Sequence, residues 1–331
     1  MIIFVTILIL LVIFVNGWTD APNAIAGCVS TRSSSPSTAL LIAALCNFSG
    51  AVLMFFLSPR VAATLYNIVD LGGDSHDSLI ALSAGLLSVI IWATVAFFLG
   101  LPTSESHAMI SGISGAAIAK CGSLSALNIR EWSYVLCGLF ATTLPPFILG
   151  YLFYRIVCLF LKRANRRGAI LYFSRAQKLS AASSAFLHGA QDSQKFMGVY
   201  LLALSLFGIN ITDNKISILL IFICAAIMTL GTMLGGTKII KKVGCDMTDL
   251  DASGGSAADA ASSAVLLVCS LLGIPASTTH SKTCAIMGTG LCKSGGVDLR
   301  IALQMFGAWG LTFPVCGGLG YIFYRLMSAL F

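Results

Sequence analysis

The sequence has little charge, since Asp, Glu, Lys and Arg make up only 10% of its 331 residues. A soluble domain has about 25% charged residues, so this chain has too few to cover a water-facing surface. That shortage excludes a soluble enzyme, a nucleic-acid binder and a disordered scaffold. The hydrophobic fraction is 57% and the mean hydropathy is +0.92. These values predict a polytopic membrane protein.

Several other features are missing. The eleven cysteines include no CxxC pair, so we interpret them as small core residues. No Pro-rich or Ser-rich tract indicates a separate soluble domain. The first residues, MIIFVTILILLVIFVNGW, have no basic n-region and no small-residue cleavage site, which predicts a retained membrane helix. The net charge of +7 is not arranged as a basic stripe, so no nucleic-acid partner is expected.

Long apolar runs are what the sequence does contain. A membrane-spanning helix needs about 20 mostly apolar residues. Ten candidate runs lie at 1–31 (interrupted near 16–23), 37–58, 79–99, 103–119, 132–160, 181–208 (interrupted near 188–195), 216–236, 256–272, 276–291 and 302–328.

A basic linker at 162–180 separates two similar halves, 1–161 and 181–331. Three blocks match in the same order, with equivalent residues 170 to 173 positions apart. They pair Asp20 with Asp192 in NGWTDAPN and HGAQDSQK, His107 with His280 in GLPTSESH and GIPASTTH, and Arg155 with Arg325 in GYLFYR and GYIFYR. The agreement indicates an internal duplication.

The two halves are expected to have opposite orientations in the membrane, because each contains five candidate crossings. If the linker is cytoplasmic, thirteen of the twenty Lys and Arg residues lie inside and five outside, as the positive-inside rule requires. We therefore expect a multi-pass protein of the cell (inner or plasma) membrane with an external N-terminus. Inverted repeats are typical of secondary transporters.

The segment around Asp20 suits a cation. Gly17 and Pro22 each disturb helical hydrogen bonding. An opened helix frees backbone carbonyls, and Asp20 and Asn23 add oxygen ligands suited to Na⁺. The second half repeats this pattern without a proline in His188, Gly189, Gln191 and Asp192.

The two G-φ-P-x-S-x-x-H motifs, in which φ is apolar, suit an anion. Pro102 and Pro275 fit the first turn of a helix, where an N–H is unpaired anyway. Hydroxyls then fall among free backbone N–H groups at Ser104, Ser106, Ser277, Thr278 and Thr279. Ordinary capping explains one such start equally well, but two copies in opposed halves predict a site for a single tetrahedral oxyanion.

The chain resembles the PiT family of inorganic phosphate transporters along its whole length. LHGAQDSQKFMG is similar to the family pattern HGxNDxQKxMG, and GIPASTTHSKTCAIMGTG is similar to GLPxSTTHxxxGAIxGxG. The resemblance implies an all-α fold of two inverted repeats with broken or re-entrant helices at the midplane. It also implies uptake of phosphate with Na⁺ or H⁺ by alternating access, no resident cofactor, and a homodimer.

By the same resemblance, Asp20, Asn23, Gln191 and Asp192 hold or shape cation sites, and the five hydroxyl residues hold the anion. There are departures, because Glu105 stands where the second half has Thr278, and Gln191 replaces the usual Asn. We expect co-transported Na⁺ to offset the charge of Glu105, or a proton on Glu105 to be donated to the anion. Lys195 lies at the position equivalent to Asn23, so we expect the second half to have a built-in ammonium where the first half holds a mobile cation, and we also count Lys195 among the substrate-binding residues.

Alternatives remain open at this point. Helix starts and hydroxyls also fit sulfate or another tetrahedral oxyanion, and an anion channel or an intramembrane Ser–His hydrolase is a weaker interpretation. Duplicated motifs argue against the hydrolase, because a nucleophile is needed once. Asp192 and Lys195 alternatively form a structural ion pair. We assign no function to His107, His188, His280 or Lys282, of which His188 is interpreted as structural.

Overall fold

The fold of the chain is all-α, as predicted. A computed structural model describes residues 1–72, 74–162, 165–209, 214–293 and 295–330. The α-helices in these ranges are α1 (Ile2–Thr19), α2 (Ala26–Ser30), α3 (Pro36–Leu57), α4 (Arg60–Tyr66), α5 (Ser75–Phe98), α6 (Glu105–Cys121), α7 (Ile129–Ala141), α8 (Leu144–Leu161), α9 (Arg166–Leu206), α10 (Asn214–Leu234), α11 (Thr237–Lys241), α12 (Ala252–Leu272), α13 (Thr278–Gly290) and α14 (Leu299–Met327).

All ten predicted apolar runs fall on helices. Within the described residues, seven helical segments are long and apolar enough to cross a membrane, namely Ile2–Ser30, Pro36–Leu57, Ser75–Phe98, Ile129–Leu161, Ser217–Leu234, Ala252–Leu272 and Leu299–Met327. Large apolar side chains cover the outer faces of these segments, as expected where the solvent is lipid. The chain is therefore a multi-pass membrane protein, and the opposed orientation of its halves stays a prediction.

Two of the predicted runs form short, buried helices. With 17 and 13 residues, α6 and α13 are about 26 and 20 Å long, which is less than the hydrocarbon thickness of about 30 Å. Every residue of α13 is buried. The helix α6 packs between α5 and α14, and α13 packs against α8 and α12. Both short helices therefore begin inside the protein.

The first membrane segment is broken where the sequence predicts. Helix α1 ends at Thr19, a 3₁₀ helix runs over Ala21–Ile25, and α2 follows. Pro22 lies in the first turn of the 3₁₀ helix and has no N–H to continue the α-helical ladder. Asp20 therefore lies at the break.

The predicted interruption near 188–195 is wrong. Helix α9 continues through this region without a break for 41 residues. Gly189 serves close packing instead, because a Cβ there would lie 2.1 Å from the carbonyl oxygen of Asn47 on α3. Residues 166–180, most of the predicted linker, form the first part of the same helix. The division into two repeats stays a prediction, but no irregular segment separates 166–180 from the second half.

Candidate functional site

Each of the two sequence motifs forms a capped helix start. The Ser104 hydroxyl accepts a hydrogen bond from the backbone N–H of His107 at 3.3 Å, and the Ser277 hydroxyl accepts one from His280 at 3.2 Å. These bonds satisfy N–H groups that have no partner within the helix. The two predicted anion-binding serines therefore also act as N-caps of α6 and α13.

The starts of α6 and α13 lie side by side. The rings of His107 and His280 are 4.9 Å apart between centroids, and the His280 ring packs 3.9 Å from that of Trp309. The Trp309 indole donates to the backbone carbonyl of Pro102 at 2.9 Å, which ties α14 to the first motif. Both helix N-termini therefore face one region of the protein interior.

Asp20 connects the broken first segment to the start of α13. Its Oδ1 accepts hydrogen bonds from the Asn23 amide at 2.8 Å and from the Thr279 hydroxyl, and its Oδ2 accepts one from the Thr278 hydroxyl at 3.3 Å. All four residues are buried. Asp20, one of the predicted cation residues, thus contacts two of the predicted anion residues directly, and Asn23 contacts Asp20.

Asp192 is the centre of a second group of contacts. The Lys195 ammonium lies 2.6 Å from Asp192 Oδ1, and the Asn16 amide donates to Asp192 Oδ2 at 3.2 Å. The same ammonium donates to the Ser106 hydroxyl at 2.7 Å and to the backbone carbonyl of Ala276 at 2.5 Å. Lys195 therefore joins α9 to the starts of both short helices.

His188 lies between the two carboxylates. Its Nε2 is 3.4 Å from Asp192 Oδ2 and 3.9 Å from Asp20 Oδ2. One ligand atom from each of these three buried residues lies within 4.8 Å of the others, which is a spacing suited to a metal ion. The sequence analysis missed this role. A signal for it was present in the duplication. Asn16 and His188 are 172 residues apart, as are Asp20 and Asp192, so His188 is the equivalent of the Asn16 that contacts Asp192.

Glu105 faces the region beside Asp20. Its Oε1 accepts a hydrogen bond from the Thr19 hydroxyl, and its buried Oε2 has no partner among the described residues. Asp20, Asn23 and Glu105 line a small enclosed cavity of about 10 Å³, which is room for about one water molecule. The Oε2 atom of Glu105 is thus free to accept a hydrogen bond beside Asp20 and Asn23 when Glu105 is ionised.

Gln191 has a different environment from the other predicted cation residues. Its amide nitrogen donates to Ser270 Oγ at 2.9 Å, and its amide oxygen accepts from the backbone N–H of Ala276 at 3.3 Å. Neither contact reaches Asp20 or Asn23. Gln191 therefore supports the chain that leads into α13, and its part in a cation site stays a prediction.

A second buried ion pair lies apart from these residues. Lys282 on α13 pairs with Asp259 on α12, and its ammonium also donates to the backbone carbonyl of Ala24 in the 3₁₀ segment at 3.1 Å. Asp259 accepts a 2.7 Å hydrogen bond from Gln177 on α9. At most 2% of either charged side chain is exposed. The positive charge of Lys282 is therefore already paired.

Comparisons with known proteins agree on one family. The profile of the phosphate transporter family matches residues 16–173 and 162–320. A protein of Bacillus subtilis named "Probable low-affinity inorganic phosphate transporter" is 35% identical over 319 residues, covering 96% of this chain and 94% of the relative. A Rhizobium meliloti protein of the same name is 33% identical, covering 91% of this chain and 89% of the relative.

One solved structure has the same fold. It is titled "The sodium-dependent phosphate transporter", and it superposes with a TM-score of 0.79 at 22% identity, covering 100% of this chain and 99% of that chain.

Proposed function

The chain belongs to the phosphate transporter family, and on that premise we propose that it imports inorganic phosphate together with a cation, Na⁺ or H⁺, by alternating access. The observation that carries this proposal is the contact of Asp20 with the hydroxyls of Thr278 and Thr279. A predicted cation ligand and two predicted anion ligands share hydrogen bonds. Because the family is one of transporters, the hydrolase alternative is set aside.

The anion would bind between the starts of α6 and α13. Free backbone N–H groups and the positive ends of two helix dipoles favour an oxyanion there. The hydroxyls that would donate to it belong to the residues predicted from the sequence, namely Ser104, Ser106, Ser277, Thr278 and Thr279. Rearrangement is required, because the neighbouring cavity of about 10 Å³ holds about one water molecule.

Coupling would follow from competition for two hydroxyl protons. While Asp20 is an unneutralised carboxylate, it accepts the protons of Thr278 and Thr279. A cation on Asp20 would neutralise the carboxylate and let these hydroxyls donate to phosphate instead. Cation binding would therefore raise the affinity for phosphate, and by linkage phosphate would raise the affinity for the cation.

The charge of the site makes a cation necessary. Asp20, Glu105 and Asp192 face one ammonium, that of Lys195, which gives a net charge of −2 if all four are ionised. Counting the ammonium of Lys282 as well would give −1, but that ammonium is paired with Asp259. Adding an anion to a buried site of this charge is prohibitive unless Na⁺ or a proton enters with it.

Glu105 favours phosphate over sulfate as the cargo. Its unpartnered Oε2 is an acceptor, and at neutral pH phosphate has a P–O–H group that can donate to it. Sulfate has no such proton. An ionised Glu105 would therefore stabilise protonated phosphate and repel sulfate, and this preference separates the two cargoes that helix dipoles and hydroxyls alone do not distinguish.

Transport into reconstituted vesicles tests the proposal. We expect labelled phosphate to accumulate against its gradient only when an inward Na⁺ or H⁺ gradient is imposed, with little inhibition by excess sulfate. Passive equilibration without either cation would favour a channel. Accumulation of sulfate that excess phosphate does not reduce would assign the other cargo.

We also propose an external N-terminus, a cytoplasmic position for residues 162–180, residence in the cell membrane, and a homodimer. The orientation follows from the excess of Lys and Arg around 162–180. Labelling of single cysteines with a membrane-impermeant reagent in intact cells tests the orientation, and crosslinking in the native membrane tests the dimer.

A further inference from the structure

Two groups of four residues in this protein lie at equivalent positions of the duplication, with the parts played by the two halves exchanged. The first, called site A, is built around Asp20 and contains Asn23, Thr279 and His188, whose Nε2 is 3.9 Å from Asp20 Oδ2 and also 3.4 Å from Asp192 Oδ2. The second, called site B, is built around Asp192 and contains Lys195, Ser106 and Asn16. Each site combines an aspartate and the residue three positions later from one half with two residues from the other half.

The internal duplication relates the two sites residue by residue. A separation of 172 positions takes Asp20 to Asp192, Asn23 to Lys195 and Asn16 to His188, and 173 positions take Ser106 to Thr279. Three of the four equivalent positions differ in residue type, and the difference at Asn23 and Lys195 replaces a neutral side chain with a charged one. Where site A has the neutral amide of Asn23, site B has the ammonium of Lys195.

The Lys195 ammonium makes oxygen contacts of the kind expected for a bound cation. It lies 2.6 Å from Asp192 Oδ1, 2.7 Å from Ser106 Oγ and 2.5 Å from the backbone oxygen of Ala276. An ammonium group has three N–H donors, so these three oxygens use all of them. No donor is left for an anion, which argues against the substrate contact that the sequence analysis assigned to Lys195.

We propose that Lys195 permanently occupies the second of two duplicated cation sites, so that one mobile Na⁺, bound at site A, accompanies each phosphate. This inference rests on the proposed function with Na⁺ as the coupling ion. The ammonium has the charge of Na⁺ but is attached to α9, and its side chain is fully buried. Withdrawing it would leave the Asp192 carboxylate buried without a counter-ion, which is strongly unfavourable.

Exchanging the residues of the two sites tests the proposal. Lys195→Asn gives site B the neutral amide of site A, and Asn23→Lys gives site A the ammonium of site B. Equilibrium binding of ²²Na⁺ and labelled phosphate to purified protein in nanodiscs measures the number of ions per chain. Lys241→Asn removes an exposed lysine of α11 and serves as the matched control for loss of a positive charge.

We expect one Na⁺ per phosphate in the wild type and in Lys241→Asn, and two in Lys195→Asn. The Hill coefficient for Na⁺ should then rise from about 1 to about 2. Asn23→Lys should bind phosphate without Na⁺. A wild type that binds phosphate with two Na⁺ or with none would overturn the proposal, and so would a Lys195→Asn variant with the wild-type count.

The result also separates this inference from the proposed function. Wild-type protein that binds no phosphate at any Na⁺ concentration would contradict the proposed function itself. If Lys195→Asn does not fold, the ion count of the wild type and the Na⁺ requirement of Asn23→Lys still decide the question.

Discussion

The imidazole rings of His107 and His280 lie 4.9 Å apart, although 173 residues separate them in the chain. Each histidine is the last residue of a G-φ-P-x-S-x-x-H motif and lies in the first turn of a short buried helix. Their contact holds the two helix starts together. Near this pair, the Thr279 hydroxyl of the second half donates to the Asp20 carboxylate of the first, and the Ser106 hydroxyl of the first half accepts from the Lys195 ammonium of the second.

Replacing Asp20 with Asn should abolish cation-driven accumulation of phosphate. The substitution keeps the shape of the side chain but removes the charge that attracts the cation. We expect a decrease of about tenfold or more, which corresponds to at least about 1.4 kcal/mol of lost binding free energy. Uptake into vesicles is the measurement, with the exposed Asp246→Asn as control. Normal uptake by a folded Asp20→Asn protein would exclude Asp20 from coupling.

Replacing Glu105 with Gln should flatten the pH dependence of uptake. Glutamine stays neutral at every pH, so a proton that Glu105 binds and releases during transport would no longer contribute. Initial rates measured across a pH series at constant Na⁺ provide the test. Glu131→Gln alters the only other glutamate of the sequence and should keep the wild-type profile. An unchanged profile in Glu105→Gln would reject titration of Glu105.

We expect the protein to stay stable when Asp259 and Lys282 are replaced together, but not when either is replaced alone. Lys282→Met alone leaves Asp259 buried without a counter-ion, a change that costs about 3–5 kcal/mol. The double variant Asp259→Leu/Lys282→Met should recover most of this loss. The leucine and methionine introduced in this variant are the residues that the first half has at the equivalent positions. Leu86 and Met109 lie 173 positions earlier and are buried in the apolar core.

Thermal unfolding in detergent of both single variants and the double variant completes a mutant cycle. Independent, additive losses would show that the contact between Asp259 and Lys282 contributes nothing to stability. A double variant that is stable but does not transport would show that the pair positions the 3₁₀ segment through Ala24.

Replacing Gly189 with Ala should destabilise the packing of α9 on α3. A Cβ at this position would lie 2.1 Å from the carbonyl oxygen of Asn47, so the two helices would have to separate. Gly307 on α14 has open space around its Cβ position, and Gly307→Ala should be neutral or raise stability by up to about 1 kcal/mol. Equal melting temperatures for the two variants would contradict this account.

The sequence predicted the helices well, because apolar length is a property that can be read along one chain. The prediction of a second broken segment near 188–195 was wrong, because it assumed that the two halves share the same backbone conformation. Pro22 causes the first break, but the residue 172 positions later is Gln194, which has an N–H and continues α9. A duplicated motif therefore need not keep the backbone conformation of its twin.

The motifs predicted which residues form the site but not all of their partners. Charge and spacing drew attention to Asp20 and Asp192, yet the position of His188 between them depends on how α9 is rotated against α1. Likewise, the pairing of Lys282 with Asp259 depends on the packing of α13 against α12. Such rotations are set by many side chains at once, and a single sequence does not specify them.

The unbroken course of α9 has a mechanical consequence. Gln177, which holds Asp259, and Asp192, which holds Lys195, lie 15 residues apart on this helix, or about 22 Å along its axis. Because α9 is continuous between these two residues, a rotation or tilt of the helix at one buried cluster also moves the other cluster. A movement of α9 would therefore shift both clusters together.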